Sequence, residues 1–158
     1  MTGLRTGLWS AGLSAAALAV AGGIGLATQQ TWLFPSLGPT LMVLAETPRA
    51  PTARPRHVLV GHLVGIGAGL LALLVTGLRD HPSAVQEGLS LRRVVAACLA
   101  VALTALGLQL LHSAHPPAGA TTLIISLGIL KTTPQLETMA LAVLFVTVVA
   151  VGVQRAAR

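Results

Sequence analysis

Fourteen charged side chains punctuate this 158-residue sequence and divide it into uncharged stretches of very unequal length. They fall at Arg5; at Glu46, Arg49, Arg54 and Arg56; at Arg79, Asp80, Glu87, Arg92 and Arg93; at Lys131 and Glu137; and at Arg155 and Arg158. Residues 6–45, 57–78, 94–130 and 138–154 are thereby left as uncharged runs of 40, 22, 37 and 17 residues. A helix that crosses a bilayer needs about 20 apolar residues. The second and fourth runs each fit one such helix. The first and third are too long for one and, with their Pro and Gly, too interrupted for two plain ones.

Composition agrees with a membrane location. Hydrophobic residues make up 54% and charged residues 9%, against about 25% charge in soluble domains. A soluble fold with so few charges would expose apolar surface it cannot keep in solution. Disordered chains, nucleic-acid-binding modules and disulfide scaffolds are excluded on the same grounds. The net charge of +6 reads as arginine anchors at segment ends rather than as a polyanion site. Cys98 is the single cysteine, so neither an intrachain disulfide nor a thiol metal cluster is expected. The N-terminal run loosely imitates a signal peptide but is longer than a signal core, and it is read as the first helix.

Each long run has one grammar: an apolar helix, a Pro-containing break, then a short apolar run. The first break is Phe34-Pro35-Ser36-Leu37-Gly38-Pro39-Thr40, and the second is His115-Pro116-Pro117-Ala118-Gly119-Ala120-Thr121. Pro35, Gly38 and Thr40 stand 81 positions before Pro116, Gly119 and Thr121. The expectation is a single transmembrane domain over 1–158, all α, built of two repeats at about 7–78 and 91–155. Each repeat holds a full helix, a half helix and a full helix: 7–27, 36–45 and 57–78, then 91–111, 117–130 and 137–155. Proline suits the first turn of a helix and pushes the residue before it toward extended geometry. Phe34 and His115 are therefore expected to be non-helical.

If each half helix completes a crossing, the repeats are inverted; if it turns back, they are parallel. The positive-inside rule gives six cations against four in either case and does not choose. Inverted repeats with discontinuous helices are a common transporter plan, and they are the preferred expectation.

A half-helix N-terminus carries unpaired N–H groups and about half a positive charge. Two of them brought together form an anion site without a cationic side chain. Substrate-binding candidates are Ser36, Gly38, Thr40, His115, Pro116, Gly119, Thr121 and Thr122. His62, Gln109 and His112 are candidates for a gate or a proton-linked role. Arg49, Arg54 and Arg56 are candidates for gathering anions at an entrance. The competing structural reading is that the glycines serve helix packing and the hydroxyls bond back to their own helices. No Asp, Glu, Lys or Arg lies within a segment core, which favours a small anion or neutral solute over a metal cation. No hydrolase elbow, zincin motif or P-loop is present, so neither an enzyme nor a cofactor or metal site is expected.

The His115-Pro116-Pro117 tripeptide and its surroundings resemble the HPP family of integral membrane proteins. Phe34 to Thr40, Glu46-Thr47-Pro48-Arg49-Ala50-Pro51, Arg54-Pro55-Arg56 and Gly61-His62 resemble it too, so the likeness covers about residues 10–155. The resemblance implies four transmembrane helices. Some members in chloroplasts and cyanobacteria are associated with nitrite transport, so it also implies a small-anion transporter. The expected protein is a multi-pass transporter or channel of a bacterial inner membrane, with nitrite as leading solute. Its expected partners are the lipid bilayer, the anion and further copies of itself, as a homodimer or higher homo-oligomer, and no nucleic acid. The alternatives are a non-transport scaffold and a channel for a neutral solute such as ammonia or water.

Overall fold

A computed structural model describes residues 2–156, which places Arg158 outside the described residues. The described chain is all α. The helices are α1 (Thr2–Thr28), α2 (Leu37–Glu46), α3 (Pro55–Val75), α4 (Ala84–Glu87), α5 (Leu91–Leu110), α6 (Ala118–Ser126) and α7 (Thr133–Ala156). Four of them, α1, α3, α5 and α7, are long and apolar enough to cross a membrane. The two short helices, α2 and α6, have ten and nine residues.

Local signals explain most boundaries. Pro55 opens α3 at its first turn, and the Ser90 hydroxyl caps α5 by accepting from the Arg93 amide at 3.3 Å. A two-residue turn follows each break proline, so α2 and α6 start at Leu37 and Ala118, slightly later than expected. Gly128, at φ +74°, ends α6 in a Schellman turn in which the Ile129 amide donates to the Ile124 carbonyl at 3.0 Å. The second short helix therefore stops before residue 130. The last helix begins earlier than expected, at Thr133, because the Gln135 side chain accepts from the amides of Lys131 and Thr132, each at 3.1 Å. Glu137 is thus in the second turn of α7 rather than at its first residue.

Contacts between helix ends fix the course of the chain. The start of α1 meets the end of α2 where Ser10 Oγ donates to Glu46 Oε1 at 3.2 Å. The end of α7 joins them, with Gln154 Nε2 donating to the Leu44 carbonyl at 2.6 Å. At the opposite face, Thr138 Oγ1 near the start of α7 donates to Gln30 Oε1, just past α1, at 2.7 Å. Residues 29–46 therefore return across the bundle to the face where α1 began. In the other half, Arg93 Nη1 at the start of α5 donates to the Ser126 carbonyl at the end of α6, at 3.4 Å. Residues 111–126 likewise recross, in the opposite sense.

The helices group in a crossed manner. One cluster is α1, α2 and α7; the other is α5, α6 and α3; and α3 packs on α7 between them. The buried positions obey a simple shift. Those of α2, namely Leu37, Thr40, Leu41, Leu44 and Ala45, fall 81 before buried Ala118, Thr121, Thr122, Ile125 and Ser126 of α6. On α3, Val58, Gly61, His62, Gly65 and Gly69 stand in the same relation to Met139, Ala142, Val143, Val146 and Ala150 of α7. For the first helices the shift is 83: Ser10, Leu13, Ala17 and Ala21 of α1 against Arg93, Ala96, Ala100 and Thr104 of α5.

Glycine sets the tightest contact in the bundle. Gly61, Gly65 and Gly69 recur every fourth residue, on one face of α3. A Cβ at Gly65 would stand 2.9 Å from the Ala118 carbonyl oxygen and from Thr122 Oγ1; at Gly69 it would stand 2.8 Å from Ile125 Cβ. The stripe lets the backbones of α3 and α6 approach closely, as small residues do between membrane helices.

Candidate functional site

The polar residues of the two breaks converge on one histidine. His62 of α3 is buried, and its ring lies between the two short helices. Its Nε2 is 3.0 Å from Thr40 Oγ1 in the first turn of α2, and its Nδ1 is 2.7 Å from Thr121 Oγ1 in the first turn of α6. His115, also buried, brings Nε2 to 3.4 Å from the same Thr40 hydroxyl. Its Nδ1 donates to the Thr52 carbonyl at 2.9 Å, in the short turn between α2 and α3. The two imidazoles lie 5.1 Å apart, centre to centre. Seven residues separate Pro55 from His62, so the site lies about 10 Å into the bundle from that end of α3.

The sequence folds this way for local reasons. Phe34 and His115 precede prolines and are non-helical, which turns both breaks inward. Gly61 admits His115, since a Cβ there would meet His115 Cβ at 2.9 Å. Thr40 and Thr122 also bond back to their own helices, at 2.8 Å to the Ser36 carbonyl and 3.0 Å to the Ala118 carbonyl. Thr122 then reaches Thr104 of α5 at 2.8 Å instead of joining the histidines. Thr104 lies outside the candidate set, because spacing along the chain does not reveal its place opposite a break hydroxyl. Ser36 Oγ is fully buried without a hydrogen-bond partner, in the turn leading into α2.

The first amides of α6 are not presented free, contrary to the expectation from a bare helix end. Those of Ala118, Gly119 and Ala120 donate to the carbonyls of His115, Pro116 and Pro117 at 3.0, 3.0 and 3.1 Å. What the helix ends offer is therefore their dipoles and hydroxyls more than open N–H groups. Gly38 and Gly119 are half-buried, and a Cβ at either would meet nothing within 4 Å. They make no tight packing contact among the described residues. Pro35, Pro39 and Pro116 are exposed beside them.

The remaining candidates lie apart from this network. Gln109 and His112 are exposed at the end of α5, which stops at Leu110. His112 adopts φ +49° as the left-handed residue of a Schellman turn, with the next amide, Ser113, donating to the Leu108 carbonyl at 2.9 Å. Arg49, Arg54 and Arg56 are exposed in and beside the α2–α3 connection. Arg49 shares a surface pocket of about 630 Å³ with Arg5 and Glu46 at that face. Arg93, expected as an aqueous anchor, is instead buried: its guanidinium donates to the carbonyls of Ser126 and Pro82 and covers Gly128. Among the described residues no cluster of three or more His, Cys, Asp or Glu suits a metal ion.

Four apolar helices long enough to span a bilayer define a multi-pass α-helical membrane protein. The transmembrane region of the HPP family matches residues 2–158, and the chain belongs to that family. Two transmembrane proteins of Dictyostelium discoideum are similar to it. One is 31% identical over 106 residues, covering 66% of this chain and 33% of the relative. The other is 31% identical over 96 residues, covering 59% of this chain and 27% of the relative. The chain thus spans about a third of the length of these curated relatives or less. No solved structure matches it.

Proposed function

We infer that this protein is a transporter or channel for a small inorganic anion, with nitrite the leading candidate, and that it has no enzymatic role. The observation that carries this reading is the convergence of the first turns of α2 and α6 on His62, inside a bundle of four spanning helices. Irregular backbone at membrane depth survives only where protein covers it or a watery cavity touches it. Pro35 and Pro116, exposed in the turns before α2 and α6, are such backbone, and half-buried Gly38 and Gly119 and exposed Pro39 lie beside them in the first helical turns. They would line the pathway, covered by a second copy of the chain in a homodimer or larger assembly.

The positive ends of two helix dipoles, the buried Ser36 hydroxyl and the break threonines then favour a small anion. The 81- and 83-residue shifts between buried positions support an ancestral duplication. The opposite courses of residues 29–46 and 111–126 support its inversion. The exposed arginines 49, 54 and 56 would gather anions at one mouth. A bacterial inner membrane is the proposed location.

The test is nitrite flux into proteoliposomes containing the purified chain, compared with empty vesicles and with nitrate, formate and halide. Nitrite uptake above empty vesicles is the expected result. Absence of flux for every anion would leave the broken helices as packing devices and favour a scaffold. Flux of ammonia or water alone would move the reading to a neutral-solute channel.

A further inference from the structure

The hydrogen bonds around His62 and His115 have only one consistent direction. Carbonyl oxygens accept and never donate. Thr40 Oγ1 donates its one proton to the Ser36 carbonyl at 2.8 Å. It therefore accepts from His62, 3.0 Å away, and a neutral His62 carries its proton on Nε2. Its bare Nδ1 then accepts from the Thr121 hydroxyl. His115 Nδ1 faces the Thr52 carbonyl and must donate, so a neutral His115 has a bare Nε2 aimed at Thr40.

We propose that Thr121, His62, Thr40 and His115 form a one-way proton relay that opens at Thr52, by which the translocated anion exchanges a proton with one membrane face. The step balances as a concerted shift. The acid form of the pathway solute (nitrous acid for nitrite) gives its proton to Thr121 Oγ1 and is left as the anion, while the Thr121 proton passes to His62 Nδ1. The His62 Nε2 proton passes to Thr40 Oγ1, and the Thr40 proton to His115 Nε2. The His115 Nδ1 proton leaves to water near the half-buried Thr52. One proton enters, one leaves, and no net charge stays in the chain. Rotation of the two hydroxyls, and turning of each imidazole about its side-chain bonds so that its N–H again faces the next acceptor, reset it.

Thr40 is the switch of this relay. Its hydroxyl points to the Ser36 carbonyl at 2.8 Å in the resting bond and must turn toward His115, 3.4 Å away, to complete the path. The relay also exists only once. The positions that correspond to His62 and His115 under the 81-residue shift are Val143 and Phe34, which carry no proton. The near-symmetric scaffold therefore exchanges protons with a single face. The groups facing His62 are Thr40 from α2, His115 from the break, Thr121 from α6 and apolar Val143 from α7. His57, in the first turn of α3, is the next titratable group toward that face. Chains of carboxylates and histidines inside membranes are established proton relays.

The solute to which the relay couples rests on the anion reading above, so the test has two arms. The first needs no transport: imidazole ¹⁵N NMR of the detergent-purified chain, assigned with His62→Gln and His115→Gln. The expected result is a proton on Nε2 of His62 and on Nδ1 of His115; a proton on Nδ1 of neutral His62 overturns the relay. The second arm records lumenal pH during nitrite uptake by proteoliposomes. Wild type should move protons with nitrite. His62→Gln keeps one donor and one acceptor for the two threonines, and it should lower the number of protons moved per nitrite by about tenfold or more. Nitrite flux without protons in wild type, or unchanged proton movement in both Gln variants, overturns the relay. Absence of nitrite flux overturns the transport reading, and the NMR arm then decides the relay alone. Melting temperature by size exclusion shows whether each variant is folded, and His115→Gln interrupts the relay should His62→Gln fail to fold.

Discussion

Thr40 and Thr121, 81 residues apart in the chain, are held by opposite edges of the same imidazole: His62 Nε2 reaches one hydroxyl at 3.0 Å and Nδ1 the other at 2.7 Å. Among the described residues the ring is the only bridge the network provides between the first turns of α2 and α6. Removing either threonine should break the bridge, so removing the second should cost little more. Thr40→Val, Thr121→Val and the double variant are expected to be non-additive, with a coupling of about 0.6 kcal/mol and at most about 1.7 kcal/mol, the average and maximum for hydrogen bonds between membrane helices. Reversible unfolding in mixed micelles measures the cycle. Strictly additive losses would show that the two short helices are held independently.

The glycine stripe of α3 predicts a position-specific cost. Gly65→Ala drives a methyl to 2.9 Å from a backbone carbonyl, and Gly69→Ala to 2.8 Å from Ile125 Cβ. Backbone cannot swing aside, so each substitution should destabilise by about 1–3 kcal/mol through overpacking. Gly67→Ala meets nothing within 4 Å on the exposed face of the same helix. It should be neutral or stabilising by up to about 1 kcal/mol, the helix preference of Ala over Gly. Thermal melts of the three variants check this, and equal losses at all three positions would contradict it.

The four spanning helices and the short helices α2 and α6 are legible in the sequence because charge spacing and proline placement are local signals. The Pro-x-x-Gly-x-Thr frame by itself singles out Thr40 and Thr121. What spacing cannot supply is which helices pair. Each short helix packs with the full helix before it and with the last helix of the other half, a choice made by matching Gly61, Gly65 and Gly69 to α6. That four-residue glycine spacing is present in the sequence and is the available signal for the α3–α6 contact. Arg93 defeats the expectation because a charge at a segment end normally faces water. Here two carbonyls and the absent side chain of Gly128 create room for it inside. Grouping His112 with His115 requires a continuous path from the helix into the break, and the Schellman turn after Leu110 interrupts it.

The α6 terminus separates a conformational cost from a steric one. Gly77 and Gly128 both adopt left-handed φ, +68° and +74°, at Schellman turns. A Cβ at Gly77 meets open space, whereas at Gly128 it meets the Arg93 guanidinium at 2.9 Å. Gly77→Ala should therefore cost only the left-handed penalty, roughly 1–2 kcal/mol. Gly128→Ala should cost that plus the loss of Arg93 bonds to Ser126 and Pro82, about 1–3 kcal/mol more. In an Arg93→Ala background the difference between the two should disappear. Unfolding midpoints of the single and double variants measure it, and a persisting difference would mean that Arg93 does not set the cost.

Gly38 and Gly119 are expected to behave in the opposite way to the α3 stripe. Neither has a neighbour within 4 Å of a Cβ position, and both lie in the first turns of the short helices, with Pro35, Pro39 and Pro116 exposed beside them. A Cβ at either site meets nothing within 4 Å, so folded stability should change by no more than about 0.5 kcal/mol, as for ordinary surface substitutions. The space they occupy lies where the anion pathway or the covering subunit is proposed, and a branched side chain would narrow it. Gly38→Val and Gly119→Val should thus lower nitrite flux by about tenfold or more, equivalent to about 1.4 kcal/mol on the limiting step. Melting temperature should stay near that of wild type. Flux in proteoliposomes, melting temperature and oligomer size, measured on the same preparations, separate the outcomes. Lost flux with a normal oligomer places the glycines on the pathway. Lost assembly with a normally folded monomer places them at the subunit interface. Full flux in both variants would remove this face from the pathway altogether, since no contact among the described residues explains why these two positions lack a side chain.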